Sequence, residues 1–244
     1  MKNILNDIIK NVSVIETIEQ IKILGSDTVT EIHAVSADKT LVITGVFKTP
    51  HPEFIGTFGM PNLGKLKTIL SFEEYDDASI IMVNKKTDEN GKLVPESISF
   101  HTATKDFKNE YRLMSESIIQ EKVKNFKLHK PTYQLEFEPA VNGIMRLKKQ
   151  ASANSEEDKF RMITENNELK VYFGDPSTHN GSFVFQSNVD NVLTHGWKWP
   201  VKEISNILSL VGDKKMRISN QGACEIVVDT GLAVYTYLIP AQQK

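Results

Sequence analysis

The chain has 244 residues, of which 40 % are apolar and 25 % charged, with 29 basic and 31 acidic side chains giving a formal charge of -2. These proportions belong to a folded chain rather than a disordered one, and the slightly acidic balance excludes a protein that coats nucleic acid with its whole surface while leaving room for a local basic face. Cys224 is the only cysteine, which excludes an intrachain disulfide and a cysteine-based zinc site; its strand-like neighbours predict a buried thiol rather than a nucleophile. No run approaches the ~18 apolar residues of a membrane-spanning helix, and the polar start at residues 1–7 lacks a signal-peptide pattern, so the expected location is inside a cell, with no membrane partner.

In chain order, residues 2–11 read as a helix with Ile4, Leu5, Ile8 and Ile9 on one stripe. Segments of period-2 or β-branched character follow at 12–18, 28–35 and 40–47, then a second helix at 61–72 with Leu63, Leu66, Ile69 and Leu70, then strands at 79–83, 97–102 and 111–114. Residues 116–130 carry Lys122, Lys124, Lys127 and Lys130 with Glu116 and Glu121 and read as a charged linker or edge, dividing a first domain, 1–120, from a second, 121–244. Beyond it come a strand at 132–137, a helix at 139–152 with Val141, Ile144, Met145 and Leu147, and strands at 159–163, 168–173 and 182–186. A fourth helix at 200–211, with Val201, Ile204, Ile207, Leu208 and Val211, precedes strands at 216–219, 223–228 and 233–239. Turn signals at 89–91, 165–167, 180–181, 220–222 and 229–231 give the grammar of antiparallel hairpins. Pro61, Pro139 and Pro200 sit where a first helical turn tolerates a missing amide hydrogen.

The helices recur in pairs. A shift of 138 positions lays Leu63, Leu66, Ile69, Leu70 and Ser71 on Val201, Ile204, Ile207, Leu208 and Ser209, and a nearly equal shift lays Leu5 and Ile8 on Ile144 and Leu147. Both halves read helix, strands, helix, strands, the mark of an internal duplication. The four predicted helices, taken as residues 1–12, 61–72, 139–153 and 200–211, carry a net +6, which leaves -8 for the rest of the chain. With each apolar stripe on a sheet, Lys10, Arg146, Lys149 and Lys202 are the clearest outward cations, and Lys65, Lys67 and Lys148 depend on helix rotation. Flexible ammonium groups suit mobile contact with phosphates that demands no base sequence.

Two stretches resemble the DNA polymerase processivity clamps, and most closely the sliding clamp of T4-like bacteriophages. One is Phe58-Gly59-Met60-Pro61-Asn62-Leu63-Gly64-Lys65-Leu66-Lys67-Thr68-Ile69-Leu70-Ser71, which is similar to the segment leading into the phage clamp's second helix. The other, Met216 to Gly222 followed by Glu225 to Ala241, is similar to the closing hairpin of clamp subunits, with its Tyr-rich last strand and Pro. The resemblance implies an α+β clamp fold, two similar domains each with two short helices packed on antiparallel sheet, assembling into a closed homotrimeric ring. It implies a protein without enzymatic activity or cofactor that encircles double-stranded DNA and tethers the replicative DNA polymerase after placement by a clamp loader, in the cytoplasm of an infected host cell. Carried over residue by residue, Lys10, Lys65, Lys67, Arg146, Lys148, Lys149 and Lys202 would face DNA, and Tyr235, Tyr237, Leu238, Ile239 and Pro240 would receive a partner's short apolar segment.

Other chemistry has weaker support in the residues. The six histidines, His33, His51, His101, His129, His179 and His195, show no metal-ligand spacing, and Asp175 to Gly181 reads as a polar turn. Trp197 and Trp199 alternate before the fourth helix, so at least one is expected in the core rather than as a stacking platform. The alternatives are a β-rich viral structural or interaction protein and a hydrolase whose groups meet only in three dimensions. A clamp predicts a basic helical surface, and a hydrolase predicts a concave cluster of titratable groups.

Overall fold

The computed structural model describes residues 1–38, 40–88, 91–123 and 131–242; Lys124, Lys127, Lys130 and the Glu89-Asn90 turn lie outside them. The chain forms two compact units, the first Met1–Lys127 with Thr230–Tyr235 and the second Leu128–Asp229 with Thr236–Lys244.

In the first unit α1 (Lys2–Val12) is followed by β1 (Ile21–Gly25), β2 (Thr30–Val35), β3 (Val42–Phe47) and β4 (Gly56–Met60), hydrogen-bonded in the order β4-β1-β2-β3. After α2 (Leu63–Leu70) come β5 (Ile80–Thr87), β6 (Leu93–His101) and β7 (Lys108–Arg112) in a second antiparallel sheet, then α3 (Glu116–Lys122). The two longer helices touch each other. Leu5, Ile8 and Val12 of α1 and Leu63, Leu66 and Ile69 of α2 are buried, as the helical spacing of those residues requires.

The second unit repeats the plan. It runs β8 (Leu135–Phe137), α4 (Val141–Ala153), β9 (Lys159–Glu165), β10 (Glu168–Gly174), β11 (Asn180–Ser187), β12 (Lys198–Pro200) and α5 (Val201–Leu208), then β13 (Asp213–Ser219), β14 (Ala223–Asp229) and β15 (Ala233–Pro240). Here the orders are β12-β9-β10-β11 and β8-β13-β14-β15, and α4 touches α5. In both units the strand just before the second helix lies beside the first strand after the first helix. The duplication therefore holds at the level of strand order and the fold is α+β. The first three residues of β15 belong to the first unit, where Tyr235 closes over Gly45 of β3 and donates to Asp7 Oδ2 at 2.8 Å.

Several expectations are corrected. Residues 12–18 form no strand: Val12 ends α1, and Ile15 and Ile18 are buried from turns. A fifth helix, α3, occupies the segment read as a charged linker; it packs because a bare Gly59 admits Ile119, whose side chain would lie 2.8 Å from any Cβ there. The prolines stand outside the first helical turns. Pro61 precedes Asn62, which adopts φ 48° and caps α2 by accepting from Lys65 N at 3.1 Å; Pro139 precedes the cap Ala140, and Pro200 is itself the cap of α5. The turn read at 180–181 lies within β11, because the β10–β11 reversal is made earlier, at Gly174 with φ 66° and at Asp175, whose Oδ1 accepts from Ser177 N and Oγ. Val211, placed on the fourth helix's apolar stripe, lies beyond α5 and is 89 % exposed.

Two results test this packing. A Cβ at Gly143 would meet the Phe185 carbonyl oxygen at 2.3 Å. Gly143→Ala, which would gain ~1 kcal/mol in an exposed helix, is therefore expected to destabilise by about 1–3 kcal/mol, read as a lower urea midpoint at unchanged slope. Cys224 is fully buried, and burial pushes its thiol well above the ordinary range. It is expected to resist a thiol reagent in the native protein and to react in denaturant; rapid native labelling would contradict the placement.

Candidate nucleic-acid interface

Each basic side chain singled out from the sequence sits on a helix whose opposite side is anchored. On α1 the buried Leu5, Ile8, Ile9 and Val12 leave Lys10 exposed, and on α2 the buried Leu63, Leu66, Ile69 and Leu70 leave Lys65 and Lys67 exposed. On α4, Gly143 and Leu147 face inward while Arg146, Lys148 and Lys149 are exposed; on α5, Ile204, Ile207 and Leu208 face inward while Lys202 is exposed. The first unit thus brings Lys10, Lys65 and Lys67 onto one pair of adjacent helices, and the second brings Arg146, Lys148, Lys149 and Lys202 onto another.

The pairing of these cations differs from that of cations on strands. Lys86 lies 3.6 Å from Glu96, Arg112 lies 3.4 Å from Glu96 and 3.6 Å from Glu110, and Lys170 lies 3.7 Å from Glu165. Lys215 lies 2.9 Å from Glu136, and Arg217 is paired with Glu225. Among the described residues, no carboxylate lies within ion-pair distance of Lys10, Lys65, Lys67, Arg146, Lys148 or Lys149. Arg146 does donate to the Val184 carbonyl at 3.4 Å. These five strand cations are met by glutamates, whereas those six helix cations are not, so their charge on the exposed faces of α1, α2 and α4 is not offset by a local carboxylate. The one acid of α1, Asp7, accepts from the Tyr235 hydroxyl at 2.8 Å and from Asn11 Nδ2 at 3.4 Å.

The residues expected to receive a partner segment are arranged differently. Along β15, alternate side chains point inward: Tyr235 and Tyr237 are 0 % exposed and Ile239 is 1 %, so these three are core residues with no surface to offer a ligand. Leu238 is half-buried and Pro240 exposed. Beyond them Gln242 lines a pocket of about 910 Å³ with Arg161, Thr194, His195, Trp197 and Lys198. Of the two tryptophans, Trp199 is buried, as expected of at least one, and Trp197 is half-buried. The Trp197 ring lies under His195 at 5.9 Å and donates from Nε1 to the Asn220 carbonyl at 2.8 Å. Sequence reasoning missed this pocket because its residues come from an irregular stretch, pinned by Asn220, which accepts from Thr194 N and donates to Val192 O. No group of three or more His, Cys, Asp or Glu side chains among the described residues is arranged to hold a metal ion.

Comparison with known proteins agrees with this architecture. No protein-family model matches the chain, and no curated protein matches it. The solved structure of the C-terminal region of FEN-1 bound to A. fulgidus PCNA matches with a TM-score of 0.67 at 10 % identity, covering 100 % of this chain and 96 % of that one. The Proliferating Cellular Nuclear Antigen from Entamoeba histolytica matches with a TM-score of 0.68 at 12 % identity, covering 99 % of this chain and 96 % of that one. A pair of packed helices on antiparallel sheets, α1 with α2 in the first unit and α4 with α5 in the second, makes the DNA clamp fold, and this chain has it.

Proposed function

We propose that this protein is a subunit of a DNA sliding clamp of the kind carried by T4-like bacteriophages. In this reading it has no catalytic role, closes into a homotrimeric ring around duplex DNA, is placed there by a clamp loader, and tethers the replicative polymerase in the cytoplasm of the infected cell. The observation that carries the reading is that Lys10, Lys65, Lys67, Arg146, Lys148 and Lys149, exposed on the paired helices of a clamp fold, have no carboxylate within ion-pair distance among the described residues. Closure is proposed to run head to tail through the open edges of β7 and β11, each the end strand of its sheet, since a closed ring leaves no unpaired strand at that joint. Partner segments are proposed to dock at the end of β15, on Leu238 and Pro240 and toward the pocket that Gln242 enters.

The charge reading is tested by Arg146→Gln with Lys149→Gln. Each lost phosphate contact removes about 0.9 from the slope of log affinity against log salt, so the double variant is expected to lose about 1.8 on duplex DNA. Both side chains are exposed, so the unfolding free energy is expected to stay within ~0.5 kcal/mol per site. An unchanged slope and affinity at low salt would remove Arg146 and Lys149 from the DNA-facing surface.

A further inference from the structure

The two units differ at one sheet edge. In the second unit β8 covers β13, with Phe137 opposite Met216, Leu135 opposite Ile218 and Glu136 opposite Arg217. The result is a closed apolar face on which Met216 and Ile218 are buried. In the first unit the matching sheet is β5-β6-β7, and no described strand pairs with the outer side of β5. Ile81 and Val83 lie opposite the fully buried Phe100 and Ile98 and share their face, yet both remain only half-buried. On the other face Ile80 is 38 % and Met82 50 % exposed. The opposite end strand of the same sheet, β7, carries a charge at each exposed position, Lys108, Glu110 and Arg112. The first half of β5 carries none.

β5 itself contains Lys85 and Lys86 and no acidic residue. Lys86 is met by Glu96 of β6 at 3.6 Å, whereas Lys85, whose ammonium donates to the Pro52 carbonyl at 2.9 Å, has no carboxylate within ion-pair distance among the described residues. In the second unit the covering strand supplies the complement, with the Glu136 carboxylate 2.9 Å from Lys215 Nζ and 3.9 Å from Arg217 Nε. We propose that the β5 edge is a docking site for an extended, acidic-apolar segment of a partner protein, which adds to the sheet as β8 does to β13. Its backbone pairs with Ile80–Thr87, apolar side chains at alternate positions complete the face over Ile81 and Val83, and an aspartate or glutamate approaches Lys85. This site goes beyond the clamp reading and does not depend on it.

The probe is a synthetic peptide with the sequence of residues 132–138, Thr-Tyr-Gln-Leu-Glu-Phe-Glu, added to the isotope-labelled full chain. At saturation the amides of residues 80–87 are expected to exchange at least about tenfold more slowly, with no such change in β7. A version with both glutamates replaced by lysine is expected to give little protection, and equal protection by the two peptides would overturn the proposal. So that weak affinity cannot hide the effect, the same heptapeptide is also joined through a short flexible linker ahead of Met1. It then starts near β5, because the Lys2 ammonium of α1 donates to the Tyr75 carbonyl. Unchanged exchange across residues 80–87 in that fusion would overturn the proposal outright.

Discussion

Threaded onto a linear duplex whose ends are then blocked with streptavidin, the protein is expected to remain on the DNA for minutes after a jump to high salt. On the same duplex with open ends it is expected to be lost within seconds. The contrast follows from what helix lysines alone can do. Nonspecific phosphate contact gives dissociation constants of about 10⁻⁴–10⁻⁶ M at physiological salt. With association rates near ~10⁷ M⁻¹s⁻¹, such a complex dissociates at about 10 s⁻¹ or faster, and faster still as salt rises. A surface of exposed Lys10, Lys65, Lys67, Lys148, Lys149 and Arg146 therefore cannot hold DNA for minutes by attraction. Persistence that appears only when the ends are blocked can come only from encirclement. Threading over free ends needs no loader, so the outcome isolates the ring from the machinery that would place it. Equal loss from blocked and open duplex, with a mass that stays monomeric, would reject encirclement and leave the clamp fold with another use.

The parts of this architecture that a reader of the sequence recovers are those dictated by local periodicity. Leu5, Ile8 and Ile9, or Ile204, Ile207 and Leu208, must bury together if their segments are helical, and the repeat of such a pattern after about 138 positions exposes the duplication. What escapes is decided by partners distant in sequence. Helix α3 has little apolar content of its own and exists because Ile119 fits against Gly59. Strand β4, read as a lead-in to the second helix, is ordered by pairing with β1, with Ile23 opposite Phe58. The tyrosines of β15 illustrate a different limit: alternation predicts which residues share a face but not which face is inside, and Tyr235 and Tyr237 proved to be core. The basic set was legible as charge on helices. That six of its members, Lys10, Lys65, Lys67, Arg146, Lys148 and Lys149, would have no carboxylate within ion-pair distance was not, because ion pairs such as Lys215 with Glu136 join residues far apart in the chain.

Lys22→Ala is expected to be among the most damaging single substitutions of a charged residue, costing about 2–5 kcal/mol through loss of a buried aliphatic stem and of a donor to a buried carbonyl. Lys22 lies on β1 and is 1 % exposed, and its ammonium donates at 3.0 Å to the carbonyl of Val123, the residue that ends α3. A cation at that helix end is favoured by the helix dipole, yet removal from water lowers the Lys22 pKa below 10.5, opposed in part by Glu116. Between the lowered folded value and 10.5 the unfolded chain holds a proton that the folded protein lacks, so this group makes stability rise with pH across that window. Buried Tyr111 and Cys224 and half-buried Tyr133 act oppositely: removal from water raises each, with the Glu225 carboxylate adding to the rise at Tyr133, the folded protein keeps protons the unfolded chain loses, and stability falls at alkaline pH. These contributions cancel in the difference between the wild type and Lys22→Met, which keeps the stem and loses the titrating group. The wild type is therefore expected to gain on Lys22→Met as pH rises toward 10.5, measured by urea unfolding at a series of pH values. A difference that stays flat from pH 7 to 10.5 would mean that the Lys22 ammonium is as well solvated in the folded protein as in the unfolded chain, and that α3 is held against the sheet by Ile119 in its Gly59 seat without help from a buried charge.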